Sequence, residues 1–218
     1  MSKNRYPEPK YSNRQERNNY VIELINKNFP DTKNILNIGG GQKRYLNDSG
    51  FLVTEIDKEG DNDLNLNLDT INKLPFDNKS FDTILALDVL EHLENFHLIF
   101  EEILRVSKKY VIISLPNSLQ EIFPIILNKK KNNENESGLY NKFYGLPLKK
   151  PSDRHRWFLT ISDIERFFEI NSKLNDYKYE ILLPSSKSLK TKILGLLLNK
   201  RLKKELFTKY CWILITKN

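Results

Sequence analysis

The chain has 218 residues, 39% hydrophobic and 29% charged, a balance that suits a soluble globular protein and excludes wholesale disorder. Its single cysteine, Cys211, excludes an internal disulfide scaffold and a clustered-cysteine zinc site, and no apolar run reaches the ~18 to 20 residues of a membrane span. The net charge is +7, and the seven basic residues of the acid-free stretch Lys187 to Lys204 equal it, so the remainder is close to neutral.

Residues 1–17 are polar and proline-bearing and are expected to form a loose arm ahead of a domain over 18–218. The polar start offers no secretory signal, so a cytoplasmic location is expected. Tyr20, Val21, Leu24 and Ile25 recur at helical spacing and predict a helix to Asn28, which Pro30 ends. Apolar runs follow at Ile35 to Ile38, Phe51 to Ile56, Thr83 to Leu87 and Tyr110 to Leu115, most of them bounded by turn residues. A helical stretch, Val89 to Val106, lies between the last two. Strands spaced by helices imply β-α-β units and a mostly parallel sheet.

Lys129 to Ser137 is low in complexity and reads as an exposed loop within an inserted lid over about 120–152, covering one end of the sheet. A helix near Ser162 to Ile170, capped by Ser162, precedes a strand near Tyr179 to Leu183 and a last strand at Tyr210 to Thr216. Ending on a strand fits a hairpin-like edge with the basic segment between its two strands. The fold class is therefore α/β: a doubly wound, Rossmann-like sheet with an antiparallel C-terminal edge strand.

The chemistry begins where the first apolar strand runs into Gly39, Gly40 and Gly41, because glycines let a backbone turn sharply and approach a ligand closely. The next strand ends at Asp57, 16 residues beyond Gly41, a separation that suits a carboxylate accepting hydrogen bonds from ribose hydroxyls. Asp69 follows, then Leu74-Pro-Phe76, Phe81-Asp82 and the series Asp88-Val-Leu-Glu-His92. A further strand ends at Asn117.

This ordered set, over roughly Asn34 to Asn117 and more loosely His155 to Phe168, resembles the class I S-adenosylmethionine-dependent methyltransferases of the broad group labelled type 11. The resemblance implies that Gly39, Gly40 and Gly41 meet the methionine part of S-adenosylmethionine and that Asp57 holds the ribose. It implies further that Leu68 and Asp69 lie along the adenine and that Asp88 faces the methionine end. Asn37 stands where the family usually has an acid, and Lys43 where it often has a glycine. Asn37 can still accept a hydrogen bond from the donor's ammonium, without a full charge.

Asp88, Glu91 and His92 stand at i, i+3 and i+4 and can project from one side of a helix start, with His155 as a distant further ligand of a divalent metal. RNA 3′-end 2′-O-methyltransferases carry a similar set with a metal. The alternative, adopted here, is that Glu91 and His92 order the helix start and that no metal is held. His155 is the candidate general base, since a neutral imidazole can remove a proton at physiological pH, and Asp88 is the second candidate catalytic residue. The competing reading has His155 packing Trp157 and Phe158 against the sheet. His97 is expected to be a partly exposed helix residue.

Aromatics at Tyr140, Phe143 and Tyr144 suit stacking of a sugar or planar acceptor. Leu189, Ile193, Leu196 and Leu197 lie at helical spacing among lysines, so 187–204 either packs its apolar side on the sheet or lies on an anionic membrane surface. The expected activity is methyl transfer to an oxygen or nitrogen of a small molecule or glycan, a setting suggested by the resemblance of the segment Phe143 to Phe158 to methyltransferases of surface-polysaccharide assembly. A metal-dependent RNA 2′-O-methyltransferase and a non-catalytic cofactor-binding protein are the alternatives. Nucleic acid is disfavoured as a partner because the basic cluster lies far from the motifs.

Overall fold

The computed structural model describes residues 6–40, 46, 49–120, 122, 154–184 and 198–218. Gly41, Lys43, the aromatic run at 140–147, nearly all of the expected insertion and the apolar part of the basic segment lie outside them. Seven strands form one sheet: β1 (Asn34–Ile38), β2 (Leu52–Asp57), β3 (Leu64–Asn65), β4 (Phe81–Leu87), β5 (Ser107–Pro116), β6 (Tyr177–Leu182) and β7 (Tyr210–Lys217). Their spatial order is β3-β2-β1-β4-β5-β7-β6. The first five in this order pair parallel, and β7 pairs antiparallel with both β5 and β6. The expected antiparallel C-terminal strand is thus present, one place in from the rim, with β6 outside it.

The helices are α1 (Arg14–Asn28), α2 (Phe96–Val106), α3 (Ile161–Leu174) and α4 (Lys200–Phe207), with a single 3₁₀ turn at Leu90–His92. Side chains of period two send alternate residues to opposite faces of the sheet. Ile84 and Ala86 of β4 join a core with Phe100, Ile103 and Phe168 from α2 and α3, whereas Leu85 and Leu87 join Tyr20, Val21 and Leu24 of α1 on the other face. Both faces are covered, which is why the inner strands read as continuous apolar runs.

Three local features differ from the sequence-based expectations. First, α1 starts at Arg14 because the Asn13 side chain accepts from the Glu16 N–H while Ser12 donates to the Glu16 carboxylate. The described part of the polar arm is packed: Tyr11 stacks on Tyr210 with ring centroids 4.9 Å apart, and the Tyr20 hydroxyl donates to the Pro7 carbonyl. Second, the stretch from Val89 breaks into the 3₁₀ turn and α2, because the Asp69 carboxylate captures the Glu94 N–H at 2.9 Å just ahead of the helix. Third, the cap of α3 is Thr160, in a capping box with Asp163, and the Ser162 hydroxyl instead donates to Glu205 of α4.

The Leu74-Pro-Phe76 segment is held by Arg105 at the end of α2. Its guanidinium donates to the Leu74 and Phe76 carbonyls, at 3.0 and 2.8 Å, and both ways to Glu102, at 2.7 and 2.6 Å. Glu102 closes the loop by accepting the Leu74 N–H at 2.7 Å. Among the described residues no helix is long and apolar enough to cross a membrane.

Candidate active site

The strand order reverses about β1, which pairs parallel with β2 on one side and with β4 on the other, so that successive strands are added in opposite directions from it. A crevice outside the carboxyl ends of strands at such a switch point is where open α/β sheets bind ligands. Gly39 follows β1 directly and adopts φ +72°, a left-handed conformation that side chains rarely take, while its N–H donates to the Ile56 carbonyl at 2.8 Å. A Cβ on Gly39 would fall 2.7 Å from Val89 Cγ2, so the turn is pressed against the chain that leaves β4. Gly40 is tight for a different reason. A Cβ there would meet Asn37 Nδ2 and Glu55 Oε2, each at 3.0 Å.

Asn37 is buried at 7% exposure, and its Nδ2 lies 3.4 Å from Glu55 Oε1. Asp57 closes β2 half-buried, one strand away from the glycine turn, with its carboxylate accepting the Lys58 N–H at 2.6 Å. Leu68 is buried in the core. Asp69 spends Oδ1 on the Glu94 N–H, so this carboxylate also fixes the approach to α2.

Asp88 follows β4 with φ +54°, an uncommon conformation for a residue with a side chain and a form of strain that concentrates at functional sites. Its carboxylate is gripped from two sides. Arg17 of α1 donates Nη1 to Oδ2 at 2.6 Å, and Ser114 of β5 donates its hydroxyl to Oδ1 at 2.5 Å. The Arg17 side chain is only 11% exposed, so a cation from the helix is sunk against the strand ends.

His155 is buried and docked on the 3₁₀ turn by the residues that flank it. The Arg156 N–H donates to the Glu91 carbonyl at 2.7 Å, the Trp157 indole donates to the Leu93 carbonyl at 2.7 Å, and Arg156 pairs with Glu94. Phe158 is half exposed, whereas Trp157 packs on Phe96 and His97. The ring of His155 meets that of His92 edge-on, centroids 4.6 Å apart. Ligand atoms of Glu91, His92 and His155 all lie within 4.8 Å of one another. His92 Nδ1 donates to the Arg154 carbonyl at 3.2 Å in the neutral tautomer that turns the lone pair of Nε2 toward this cluster. One buried carboxylate and two imidazoles form a set that fits a divalent ion with nitrogen and oxygen preferences. Asp88, with both carboxylate oxygens engaged elsewhere, does not join it.

The structure therefore brings Asn37, Gly39, Gly40, Asp57 and Asp88 to the carboxyl ends of adjacent parallel strands, and gathers Glu91 and His92, on the chain leaving β4, with His155, from the segment ahead of α3. Sequence reasoning missed Glu55, Arg17 and Ser114. An acid inside an otherwise apolar strand was the available signal for Glu55. Arg17 had none, since its helix was expected to begin later.

Residues 40–114 match the family model described as a methyltransferase domain. No curated protein matches the sequence. Solved structures similar to this chain include the plantazolicin methyltransferase BpumL in complex with a pentazolic desmethylPZN analog and SAH, at 17% identity and TM-score 0.58, over 94% of this chain and 84% of that one. A SAM dependent methyltransferase from Archaeoglobus fulgidus is similar at 14% identity and TM-score 0.52, over 92% and 94% of the two chains. The small RNA methyltransferase HEN1 is similar at 15% identity and TM-score 0.59, over all of this chain and 27% of that one. At these identities the likenesses speak for the fold, and the sequence match speaks for the segment from Gly40 through β2 and β4 into β5. Residues 40–114 thus match a methyltransferase domain, and the sheet around them has the fold of S-adenosylmethionine-dependent methyltransferases.

Proposed function

We propose that the chain transfers the methyl group of S-adenosylmethionine to a nucleophilic oxygen or nitrogen of a small molecule or glycan. The observation that carries this reading is the convergence of the Gly39-Gly40 turn, Asp57 and Asp88 on the carboxyl ends of β1, β2 and β4. The donor supplies a methyl group on a positively charged sulfur, already activated for displacement. The glycine turn offers it backbone without side chains in the way, Asp57 accepts from ribose hydroxyls, and Leu68 with Asp69 borders the adenine. Asp88 faces the methionine end. Such a displacement needs chiefly alignment of the acceptor. His155 takes the acceptor's proton on a ring nitrogen, and the Glu91 carboxylate within 4.8 Å favours the resulting imidazolium.

The cluster of Glu91, His92 and His155 supports a second reading, a metal-dependent RNA 2′-O-methyltransferase. A divalent ion held by these three residues would polarise an acceptor hydroxyl. One experiment separates the readings: an acceptor screen with radiolabelled S-adenosylmethionine over small molecules, glycans and RNA, with and without EDTA. Label entering a glycan or small molecule and persisting in EDTA supports the first. Label entering RNA and lost in EDTA supports the second. No product anywhere, with no heat on titrating S-adenosylhomocysteine, refutes both.

A further inference from the structure

The tip of β1 carries a neutral side chain, Asn37, and a carboxylate of the neighbouring strand reaches it. Asn37 and Glu55 are register partners in the parallel pairing of β1 with β2, and their side chains meet at 3.4 Å. Glu55 is 1% exposed, and its Oε2 lies where a Cβ on Gly40 would come within 3.0 Å, directly against the backbone of the turn. The strand holds it firmly there. The Glu55 N–H donates to the Asp63 carboxylate at 2.7 Å, and the Asp63 N–H returns to the Glu55 carbonyl at 3.0 Å.

We propose that Glu55 is the positioning carboxylate of the donor site: from beneath Gly40 it supplies the negative charge that selects a ligand bearing an ammonium group. This rests on the assignment of the crevice to S-adenosylmethionine. Burying a carboxylate in a strand interior is costly, and hydrophobic strands ordinarily exclude one. At the switch point the same burial is useful, because a charge in a low-dielectric surrounding acts over the few ångströms of a glycine backbone far more strongly than it would in water. Gly40, whose φ is not in the left-handed region, is then explained by space: a side chain there would press on both Asn37 and the Glu55 carboxylate and displace them from the turn. The same charge bears on S-adenosylmethionine and S-adenosylhomocysteine, which both carry the ammonium, and hardly at all on 5′-methylthioadenosine, which keeps the adenosine and the thioether and lacks the amino acid.

The test is calorimetric titration of the full chain with S-adenosylhomocysteine and with 5′-methylthioadenosine. Glu55→Gln, of nearly the same shape, should weaken the first by about 10- to 100-fold and the second by less than about 3-fold. Moving the charge back across the register in Asn37→Asp/Glu55→Gln should recover most of the preference for the amino-acid-bearing ligand, and this double variant carries the test if Glu55→Gln alone does not fold. Equal weakening of both ligands, no change in either, or a double variant without the preference overturns the role of Glu55. A wild-type chain that binds neither ligand overturns the donor-site assignment itself.

Discussion

Replacing Gly39 by alanine strikes the turn in two separable ways. The backbone at φ +72° costs an L-residue about 1–2 kcal/mol. The added methyl would lie 2.7 Å from Val89 Cγ2 and 2.9 Å from Val89 Cβ, contacts that real structures do not tolerate, so the chain leaving β4 has to shift. Overpacking of this kind costs about 1–3 kcal/mol. The expected loss for Gly39→Ala is therefore about 2–5 kcal/mol in urea unfolding, with binding of S-adenosylhomocysteine weakened at least about 10-fold because the displaced segment carries Asp88. Val89→Ala separates the two components. It removes the Cγ2 contact and leaves Val89 Cβ in place, so Gly39→Ala/Val89→Ala should recover about 1 kcal/mol relative to the sum of the single changes and no more. Additivity to within about 0.3–0.5 kcal/mol would refute the steric account, and a Gly39→Ala chain of wild-type stability would refute both.

Two further predictions concern the supports of the site. Glu102 has its carboxyl group held below the usual range, chiefly by hydrogen bonds from Arg105, so the stability it contributes is present above about pH 5 and lost as the pH falls through the folded value. Glu102→Gln should thus cost about 1–2 kcal/mol at pH 7 and progressively less toward about pH 3, and a difference from wild type independent of pH in urea unfolding would contradict this. Glu205, 6% exposed, accepts the Ile161 and Ser162 N–H groups at 2.9 and 2.8 Å and so caps α3 from α4. Glu205→Gln should cost about 1.5–3 kcal/mol in thermal or urea unfolding, and no loss would show the cap to be dispensable.

The parts of the fold legible in the sequence are those that local pattern decides. Inner strands such as β4 and β5 are covered on both faces and announce themselves as apolar runs, and β1 is followed at once by the glycines that its turn requires. Elements settled by side chains distant in sequence were not legible. The two residues of β3 have no pattern of their own and exist because Leu64 and Asn65 pair with Ile56 and Asp57. The start of α2 depends on Asp69, 25 residues before the N–H it captures. The candidate site divides the same way. Gly39, Asp57 and Asp88 stand at strand ends that periodicity marks, whereas Glu55 acquires its meaning only through the pairing of β1 with β2, and Arg17 only through the docking of α1 on the sheet.

Arg17 changes how the negative charges of the crevice are to be weighed. With a guanidinium 2.6 Å from its carboxylate and the Ser114 hydroxyl on the other oxygen, Asp88 presents little net charge to a cationic sulfur, even though the family resemblance puts it nearest the methyl group. On the proposed assignment of the crevice, the attraction for the donor then falls mainly to Asp57 and Glu55, on the ribose and ammonium sides, and the methylated and demethylated forms are expected to bind with similar strength. That similarity suits substrate alignment more than tight retention of the charged sulfur. Arg17→Gln would uncover Asp88. At an effective dielectric between that of a protein surface and water, a restored charge a few ångströms from the sulfonium should shift relative affinity toward S-adenosylmethionine over S-adenosylhomocysteine by about 3- to 10-fold, whatever it does to stability. Calorimetric titration of both ligands checks this as a ratio, which cancels any general weakening of the crevice. An unchanged ratio in a folded Arg17→Gln chain would mean that Asp88 does not face the sulfur, and that the Arg17 pair serves only to fasten α1 to the end of β4.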